Sequence, residues 1–324
     1  MPSHLKNMNN YLNGLFDTYI IKKIKPRLFE FGHDCIIFFQ KITRSSDIST
    51  RKIFADIDNH VRTFESEKKG FISRRNAWLK KNPEYSHPDL VEFDSRRYSG
   101  ENVLVISPHP DDEIIGCGGT LIKMIQEGSS VSVVQLTDGC NTSAFKDFSG
   151  PERKTIRLDE AKIVAKSIGF SELFFFNEVD SFLACTRDNV EKLSGILNRL
   201  QPKAIFVPFI NDPHPDHHAA NEILSTSLQS CALDLASVNI VSYEVWTFVP
   251  PNTYCIIDNQ FDKKSDVLRK YRTAMKIIDY VQCCESLNAY HSYTLLVKKG
   301  FVEVFFTLDA KKYVDLIRKA TILP

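Results

Sequence analysis

From Val103 onward, short and continuous apolar segments alternate with helix-like segments, and this alternation restricts the fold more than any other feature of the chain. The apolar segments are VLVIS from Val103, VSVVQLT from Val131, LFFF from Leu173 and AIFVP from Ala204. Strands that are buried on both faces of a parallel sheet are apolar throughout, whereas half-exposed strands alternate apolar with polar residues. We therefore predict an α/β fold, with a Rossmann-like and mostly parallel sheet flanked by helices.

Residues 1–98 follow a different pattern, in which apolar residues recur at helical spacing. The first such series is Leu12, Leu15, Phe16, Tyr19, Ile20 and Ile24, and it stops at Pro26. We predict that residues 1–98 form an N-terminal helical extension with a linker, and that residues 99–324 form the main domain. The apolar faces of the extension are expected to pack on the main domain or on a second subunit, so a homo-oligomer is one expected arrangement.

The composition is that of an ordinary globular protein, and it argues against several classes of partner. The 324 residues carry a formal net charge of +1, which gives no reason to expect nucleic acid as a partner. The eight cysteines include no CxxC pair, which favours reduced thiols. No segment reaches the ~20 consecutive apolar residues of a transmembrane helix, and no signal sequence is evident, so the sequence predicts a cytoplasmic protein.

Two polar segments follow apolar ones directly, and both are rich in metal-binding residue types. PHPDDE at 108–113 comes after VLVIS, and HPDH at 214–217 comes after AIFVP. Because ligands of such sheets bind beyond the carboxyl ends of the strands, we expect the two segments to meet there. A catalytic zinc or ferrous ion needs about three nitrogen or oxygen ligands and an open position, and His109, Asp112 and His217 are a suitable set.

The other residues of these two segments suit the hydrolysis of an amide or an ester. Asp111 would be the general base, because a carboxylate beside an ion-activated water can complete its deprotonation. As an imidazolium, His214 would stabilise the developing oxyanion and then protonate a leaving nitrogen, with Asp216 orienting it. Glu113 either orients a metal ligand or is a first-turn acid of a helix, and the sequence leaves both interpretations open.

Three glycines follow the first polar segment, at positions 116, 118 and 119. They lack the spacing of a dinucleotide-binding loop. We expect them to let the backbone pass close to the metal, and we expect a helix from about Gly118 to Glu127.

The two polar segments together resemble the motifs of one enzyme family. PHPDDE with Gly118 and Gly119 resembles the first motif of the LmbE-like, or PIG-L, de-N-acetylases, and HPDH resembles their second motif. The resemblance covers about residues 100–310. It also includes Thr137-Asp138-Gly139, Arg157 with Glu160-Ala161, Tyr280-Val281-Gln282 and Glu303.

This resemblance implies a zinc-dependent enzyme that removes acetyl from an N-acetylated amino sugar, either free or in a glycoconjugate. His109, Asp112 and His217 would bind the Zn²⁺, with Fe²⁺ or another divalent metal as the alternative. By the same resemblance, Asp111 would be the base and His214 the acid or electrostatic partner. Two further positions, Arg157 and Asp138, would contact the substrate.

One position departs from the family pattern. Certain members have a tyrosine two residues before the first histidine of the second motif, where it helps to polarise the acetyl carbonyl, but this chain has Asp212. The metal and His214 together, Tyr243 or Tyr280 are then the candidates for stabilising the oxyanion.

Other functions fit part of the pattern. Two histidines and one carboxylate also form the metal site of ferrous oxygenases, but an alternation of strands and helices does not suit that class. A sugar-binding or assembly module on the same fold is a further alternative, although Asp111 and His214 argue for retained chemistry. A hydrolase acting on a different N-acyl group is the third.

Overall fold

A computed structural model of the chain describes residues 90–141, 144, 148–296 and 298–322. The predicted helical extension lies outside the described residues except for 90–98. Its helices and its role in a homo-oligomer therefore stay predictions.

The main domain is built on one sheet with strand order β1-β7-β8-β6-β5-β2-β3-β4. Neighbouring strands are parallel except that β8 runs antiparallel to both β6 and β7. The strands are β1 (Val91–Glu92), β2 (Asn102–Ser107), β3 (Ser130–Thr137), β4 (Glu172–Glu178), β5 (Ala204–Pro208), β6 (Asn239–Tyr243), β7 (Thr253–Ile256) and β8 (Val302–Asp309). The predicted mostly parallel α/β sheet is confirmed.

Helices connect most of these strands. They are α1 (Asp112–Gln126), α2 (Gly150–Ile168), α3 (Arg187–Leu200), α4 (Pro215–Ser230), α5 (Phe261–Leu268), α6 (Arg272–Met275), α7 (Tyr280–Leu296) and α8 (Ala310–Ile322), with a 3₁₀ helix at Ser95–Tyr98. Among the described residues, no helix is both long enough and apolar enough to cross a membrane.

Helices cover both faces of the sheet, and the central strand β2 shows why its sequence is apolar without a break. Leu104 and Ile106 join one buried cluster with residues of α3, α4 and α8. Val103 and Val105 point to the opposite face and join a second cluster with residues of α1 and α2. All four side chains are fully buried, as expected for a strand between two helical layers.

Residues 91–98 belong to the fold of the main domain, although the sequence assigned them to a linker. The short strand β1 pairs with β7, and Phe93 and Tyr98 are each only 5% exposed. The Tyr98 hydroxyl accepts a hydrogen bond of 2.8 Å from Asn239 Nδ2. The many polar residues between these two aromatic side chains obscured their burial in the sequence.

The glycines after the first motif lie inside α1, so the helix starts at Asp112 and the predicted start near Gly118 is wrong. A Cβ atom on Gly116 would lie 2.7 Å from the Glu244 carbonyl oxygen, and one on Gly119 would lie 2.6 Å from Ile257 Cδ1. These glycines therefore let α1 pack closely on the residues that follow β6 and β7, and this packing replaces the predicted close approach to a metal.

The two motifs meet because β2 and β5 are neighbours in the sheet. The strands pair in parallel, with Val103 opposite Ala204 and Val105 opposite Phe206. Their carboxyl ends therefore lead to the same edge, where the chain turns into α1 after β2 and into α4 after β5. The ends of β3, β4 and β6 contribute further loops to this edge.

Candidate metal centre and active site

Three potential metal-binding atoms face one another at the carboxyl edge of the sheet. Asp112 Oδ2 lies 3.1 Å from His109 Nδ1 and 3.3 Å from His217 Nε2, and the two ring nitrogens are 3.4 Å apart. Ligands held about 2.0–2.2 Å from a tetrahedral ion lie about 3.3–3.6 Å from one another. The three atoms thus match the spacing of a tetrahedral metal site within a few tenths of an ångström.

Local structure holds Asp112 in this position. It is the first residue of α1, and its Oδ2 accepts a 2.9 Å hydrogen bond from the backbone N–H of His109. Burial alone would raise the pKa of Asp112, but charges on His217 and His109 outweigh burial and lower this pKa well below its usual range. The carboxylate is therefore ionised, as a metal ligand must be.

Each of the two histidines has a carboxylate at its outer nitrogen. His109 Nε2 lies 3.0 Å from Asp216 Oδ2 and 3.4 Å from Asp180 Oδ1. His217 Nδ1 lies 3.1 Å from Asp212 Oδ1, which is an ion-pair distance although the N–H is not directed at that oxygen. Carboxylates in this position hold the proton on the outer nitrogen and leave the inner one free for a metal.

The contacts of Asp216 differ from the predicted ones. Its carboxylate contacts His109 and accepts backbone hydrogen bonds from Ser181 and Leu183, at 2.7 and 3.1 Å. The predicted contact of this carboxylate with His214 is not formed. Instead, the backbone N–H of Asp216 donates to His214 Nδ1 at 3.2 Å. Asp216 is completely buried and contacts the His109 ring at the nitrogen that faces away from Asp112.

Sequence reasoning missed the roles of Asp180 and Asp212. Asp180 follows the end of β4, just as Asp138 follows the end of β3, and this position at the carboxyl end of a strand was the available signal. Asp212 was noted only because it replaces a tyrosine. Its other oxygen accepts a 2.9 Å hydrogen bond from the backbone N–H of Trp246.

Two overlapping groups also bring one potential ligand atom per residue within 4.8 Å of one another. The groups are His109, His214 and His217, and His109, Asp180, His214 and Asp216. Neither group includes Asp112, but we favour His109, Asp112 and His217 as the potential ligands. The reason is that both carboxylate oxygens of Asp216 accept backbone hydrogen bonds and His214 Nδ1 accepts another, whereas Asp112 accepts one, through Oδ2.

Asp111 lies beside these atoms with its backbone in an unusual conformation. Its φ of 123° falls where residues other than glycine are strained. The Glu113 carboxylate accepts a 3.2 Å hydrogen bond from the backbone N–H of Asp111, and Arg157 Nη2 lies 3.4 Å from Asp111 Oδ2. Burial raises the pKa of Asp111 to about 7 even though the Arg157 charge opposes the shift. A carboxyl group with this pKa is suited to proton transfer near neutral pH.

Glu113 supports the loop from inside the protein and makes no contact with the three facing donor atoms. It is fully buried, accepts a 2.8 Å hydrogen bond from the Ser107 hydroxyl and accepts another from the Tyr271 hydroxyl. Together with its contact to the Asp111 backbone, these bonds favour a positioning role over that of a simple first-turn acid.

Arg157 also contacts the loop that carries Asp111. It is 5% exposed, donates a 2.6 Å hydrogen bond to the Pro110 carbonyl and pairs with Glu160 at 3.4 Å. These contacts place its guanidinium against the back of the loop. The predicted contact between Arg157 and substrate stays a prediction.

Asp138 organises the loops after β3 and β4. Its Oδ1 accepts backbone hydrogen bonds from Cys140 at 3.2 Å and Asp180 at 3.4 Å, and its Oδ2 pairs with Lys154 at 3.1 Å. With Arg157 it lines a cavity of about 120 Å³ beside Pro110. Its predicted contact with substrate likewise stays a prediction.

The structure places His214 at the edge of the site as a potential donor. Because its Nδ1 accepts a backbone hydrogen bond, the neutral ring carries its proton on Nε2. Burial and the charges of His109 and His217 lower the pKa of His214. The neutral ring is therefore favoured over the predicted imidazolium, and it still offers one N–H.

The two tyrosines left open by the sequence differ in position. Tyr243 is completely buried and donates a 2.8 Å hydrogen bond to the Ile106 carbonyl, so it is not available as an oxyanion donor. Tyr280 is half-buried. Burial, followed by the charges of Asp111 and Asp112, raises its pKa.

A mostly parallel sheet with these two motifs at neighbouring strand ends is the LmbE-like α/β fold. Residues 104–228 match the family PIG-L, described as GlcNAc-PI de-N-acetylase. Residues 104–228 therefore carry a domain of this family.

Relatives within the family include sugar deacetylases. Diacetylchitobiose deacetylase of Thermococcus kodakarensis is 33% identical over 126 residues, which are 37% of this chain and 46% of that protein. The chain thus matches less than half the length of this relative. The solved structure of N,N'-diacetylchitobiose deacetylase from Pyrococcus horikoshii superimposes with a TM-score of 0.57 at 25% identity, over 75% of this chain and 94% of that one.

A further relative carries a different activity in its name. The 4-oxalmesaconate hydratase of Pseudomonas putida is 22% identical over 247 residues, which are 68% of this chain and 95% of that protein. The fold thus accommodates more than one reaction with water, and the site residues must decide between them.

Proposed function

We propose that this protein is a metal-dependent hydrolase that removes the acetyl group from an N-acetylated amino sugar or sugar conjugate. The observation that carries the proposal is the group of His109 Nδ1, Asp112 Oδ2 and His217 Nε2, mutually 3.1–3.4 Å apart, with Asp111 directly before Asp112 in the chain. The deacetylase relatives support the choice of an acetamido sugar as substrate.

The residues of the site fit a zinc ion. The donor set is two imidazoles and one carboxylate, each imidazole has a carboxylate behind it, and three protein ligands leave a position open. Zinc bound there would lower the pKa of a water molecule towards about 7 and would polarise the acetyl carbonyl.

Asp111 and His214 have different parts in the proposed reaction. Asp111 accepts a proton from the water whose oxygen forms the new bond to the acetyl carbon. His214 donates a hydrogen bond from Nε2 to the carbonyl oxygen as negative charge develops there. The C–N bond then breaks, and the departing nitrogen receives the proton that Asp111 accepted from the water. The products are acetate and a free amino sugar.

Acetate release from N-acetylated sugars tests the proposal. Metal-stripped protein, with and without added zinc, is incubated with N-acetylglucosamine, N,N'-diacetylchitobiose and nucleotide-linked or lipid-linked N-acetylglucosamine. We expect release only in the presence of metal. No release from any of these sugars, although zinc binds, would point to another N-acyl group or to a binding role.

Hydration is the second candidate, and the relative from Pseudomonas putida is the observation that favours it. The charges at this site argue against an anionic substrate. Five buried carboxylates, those of Asp111, Asp112, Asp180, Asp212 and Asp216, surround the described site, and Arg157 is engaged by the loop. A neutral sugar would enter such a site without the electrostatic repulsion that an anionic substrate meets. Consumption of an unsaturated dicarboxylate, without acetate release from any sugar, would reverse this choice.

The remaining expectations about the whole protein stay predictions. They are a cytoplasmic location, the absence of a nucleic-acid partner and a homo-oligomer formed through the N-terminal extension.

A further inference from the structure

Two aromatic side chains lie next to each other at the edge of the candidate site. The ring centroids of Trp246 and Tyr280 are 6.1 Å apart, with the ring planes inclined by 66°. Trp246 is 48% exposed. Large aromatic side chains with this exposure often mark a surface that binds a ligand.

The loop that carries Trp246 is tied directly to the metal-ligand shell. The backbone N–H of Trp246 donates to Asp212 Oδ2 at 2.9 Å, while Asp212 Oδ1 lies 3.1 Å from His217 Nδ1. One carboxylate thus contacts both a proposed metal-ligand histidine and the backbone of the exposed tryptophan. The backbone of Trp246 is therefore connected to the candidate site through Asp212.

A second carboxylate fixes the other end of this loop. Glu244 Oε1 accepts a 2.8 Å hydrogen bond from the backbone N–H of Val249, and Glu244 Oε2 lies 2.8 Å from His291 Nε2 on α7. Anchored at both ends, the loop presents Trp246 in one position before any ligand arrives. Such preorganisation lowers the entropic cost of binding.

The two rings follow one another outward from the reacting centre. Tyr280 is half-buried, whereas the Trp246 ring beside it is more exposed, and the Trp246 backbone is bonded to Asp212 behind His217. A sugar whose acetamido group lies at the candidate site would have its next unit on the side of the more exposed ring.

We propose that Trp246, held beside Tyr280, is a specificity-determining residue that stacks on the sugar unit joined to the acetamido-bearing one. This proposal rests on the proposed function. One face of a pyranose ring presents C–H groups, which pack on an aromatic ring, while its hydroxyl groups at the edge remain free to hydrogen-bond. The substrate class is accordingly an N-acetylated disaccharide or longer conjugate rather than a free monosaccharide.

Steady-state kinetics with two substrates test this assignment. In Trp246→Ala, we expect KM for N,N'-diacetylchitobiose to rise about tenfold with kcat little changed, while KM for N-acetylglucosamine stays within about twofold. In Trp246→Phe, which keeps an aromatic ring, KM for N,N'-diacetylchitobiose should rise much less. Phe248→Ala, which removes an exposed ring from the same loop, should leave both constants unchanged. An equal rise in KM for both sugars in Trp246→Ala would overturn the proposal.

Fluorescence gives a reading that does not depend on turnover. The chain has two tryptophans, Trp78 and Trp246, so Trp78→Phe leaves Trp246 as the only indole reporter. Titration of this variant with N,N'-diacetylchitobiose should change its emission and protect it from acrylamide quenching. A response without acetate release would uphold the sugar subsite and refute the proposed hydrolysis. Acetate release without a change in fluorescence would uphold the proposed hydrolysis and refute the sugar subsite at Trp246.

Discussion

Asp111 combines a strained backbone with a buried acid, and both features depend on its neighbours. A non-glycine residue at φ 123° costs on the order of 1–3 kcal/mol, and the conformation persists here because Glu113 and Arg157 hold the loop. The Asp111 carboxylate pairs with Arg157, whereas that of Asp112 faces His109 and His217. Two adjacent aspartates in the sequence thereby acquire different roles, one as proposed ligand and one as proposed base.

Replacing Asp111 by asparagine tests this division of roles. Asp111→Asn keeps the size of the side chain but cannot accept a proton, so we expect acetate release to fall by at least about 100-fold. Zinc content should stay unchanged, because Asp111 is not one of the three facing donors. His109→Ala is the comparison, since it should lose both metal and activity. An undiminished rate in Asp111→Asn would disprove the assignment of the base.

Asp212 provides a second test at the scale of the residue. Asp212→Asn removes the charge behind His217, and we expect zinc affinity to fall about 10–100-fold, as measured by competition with a chromogenic chelator. Asp266→Asn is the control, because Asp266 pairs only with Arg269 at an exposed position. Equal zinc affinities in the two variants would mean that Asp212 does not orient the ligand.

Helix α1 supports the first motif, and close packing determines its position. Gly116→Ala should lower the free energy of unfolding by about 1–3 kcal/mol, because the added methyl group would press on Tyr243 and on the Glu244 carbonyl oxygen. Alanine favours a helix over glycine by about 1 kcal/mol, so a helix without such contacts should respond in the opposite direction.

Gly195→Ala is the matched control for that prediction. Gly195 lies within α3, and a Cβ atom there would have no neighbour within 4 Å. We expect this variant to be more stable by about 0.5–1 kcal/mol in urea denaturation. Stabilisation of both variants would show that α1 can move away from β6 without penalty.

A buried ion pair anchors α1 from its other side. Lys264 Nζ on α5 donates to Glu303 on β8 at 2.7 Å and to the Ile115 carbonyl of α1 at 2.9 Å, and all of these groups are shielded from water. Lys264→Met leaves the Glu303 charge without its partner, so we expect a loss of about 3–5 kcal/mol in the free energy of unfolding.

The exposed pair of Lys298 and Asp258 is the comparison for Lys264. These side chains are 38% and 39% exposed, and Lys298→Met should change the free energy of unfolding by no more than about 1 kcal/mol. Similar losses in the two lysine variants would mean that the buried pair contributes little beyond an ordinary surface contact.

At the scale of the whole molecule, charge is distributed unevenly. The formal net charge is +1, yet the described carboxyl edge of the sheet gathers Asp111, Asp112, Asp180, Asp212 and Asp216. Parallel strands bring the loops that follow them to one edge, so residues far apart in sequence build one anionic site. A divalent ion is therefore expected to stabilise the whole domain.

The stabilisation of the domain by a divalent ion should depend on pH. Burial lowers the pKa of His217, but Asp112 outweighs burial and raises it to about 9, against about 6.5 in the unfolded chain. The stability that this group contributes to metal-stripped protein is fully present below about pH 6.5 and is lost as pH rises towards about 9. Zinc must displace the same proton, so its affinity rises over that range.

Thermal unfolding with and without zinc checks the sign of this effect. We expect the increase in Tm on adding zinc to grow from pH 6 to about pH 9, the range set by the raised pKa of His217. A zinc-induced increase that shrinks with rising pH would contradict the ligand set.

The sequence alone determined the parallel arrangement of β2 to β5 and the meeting of the two motifs. Both follow from local signals, namely unbroken apolar segments and polar segments placed directly after them. The three facing atoms of His109, Asp112 and His217 belong to these two motifs, so their proximity follows from the same signals, while their role as metal ligands stays a prediction.

Only the tertiary structure decided which distant groups touch. Asp216 faces His109 instead of His214, Asp212 joins His217 to Trp246, and Arg157 contacts the back of the Asp111 loop. No spacing in the sequence encodes these contacts, because they depend on how loops from different strands turn above the sheet edge. Local patterns specify strands and helices, whereas the partner of a buried charge depends on the packing of the complete domain.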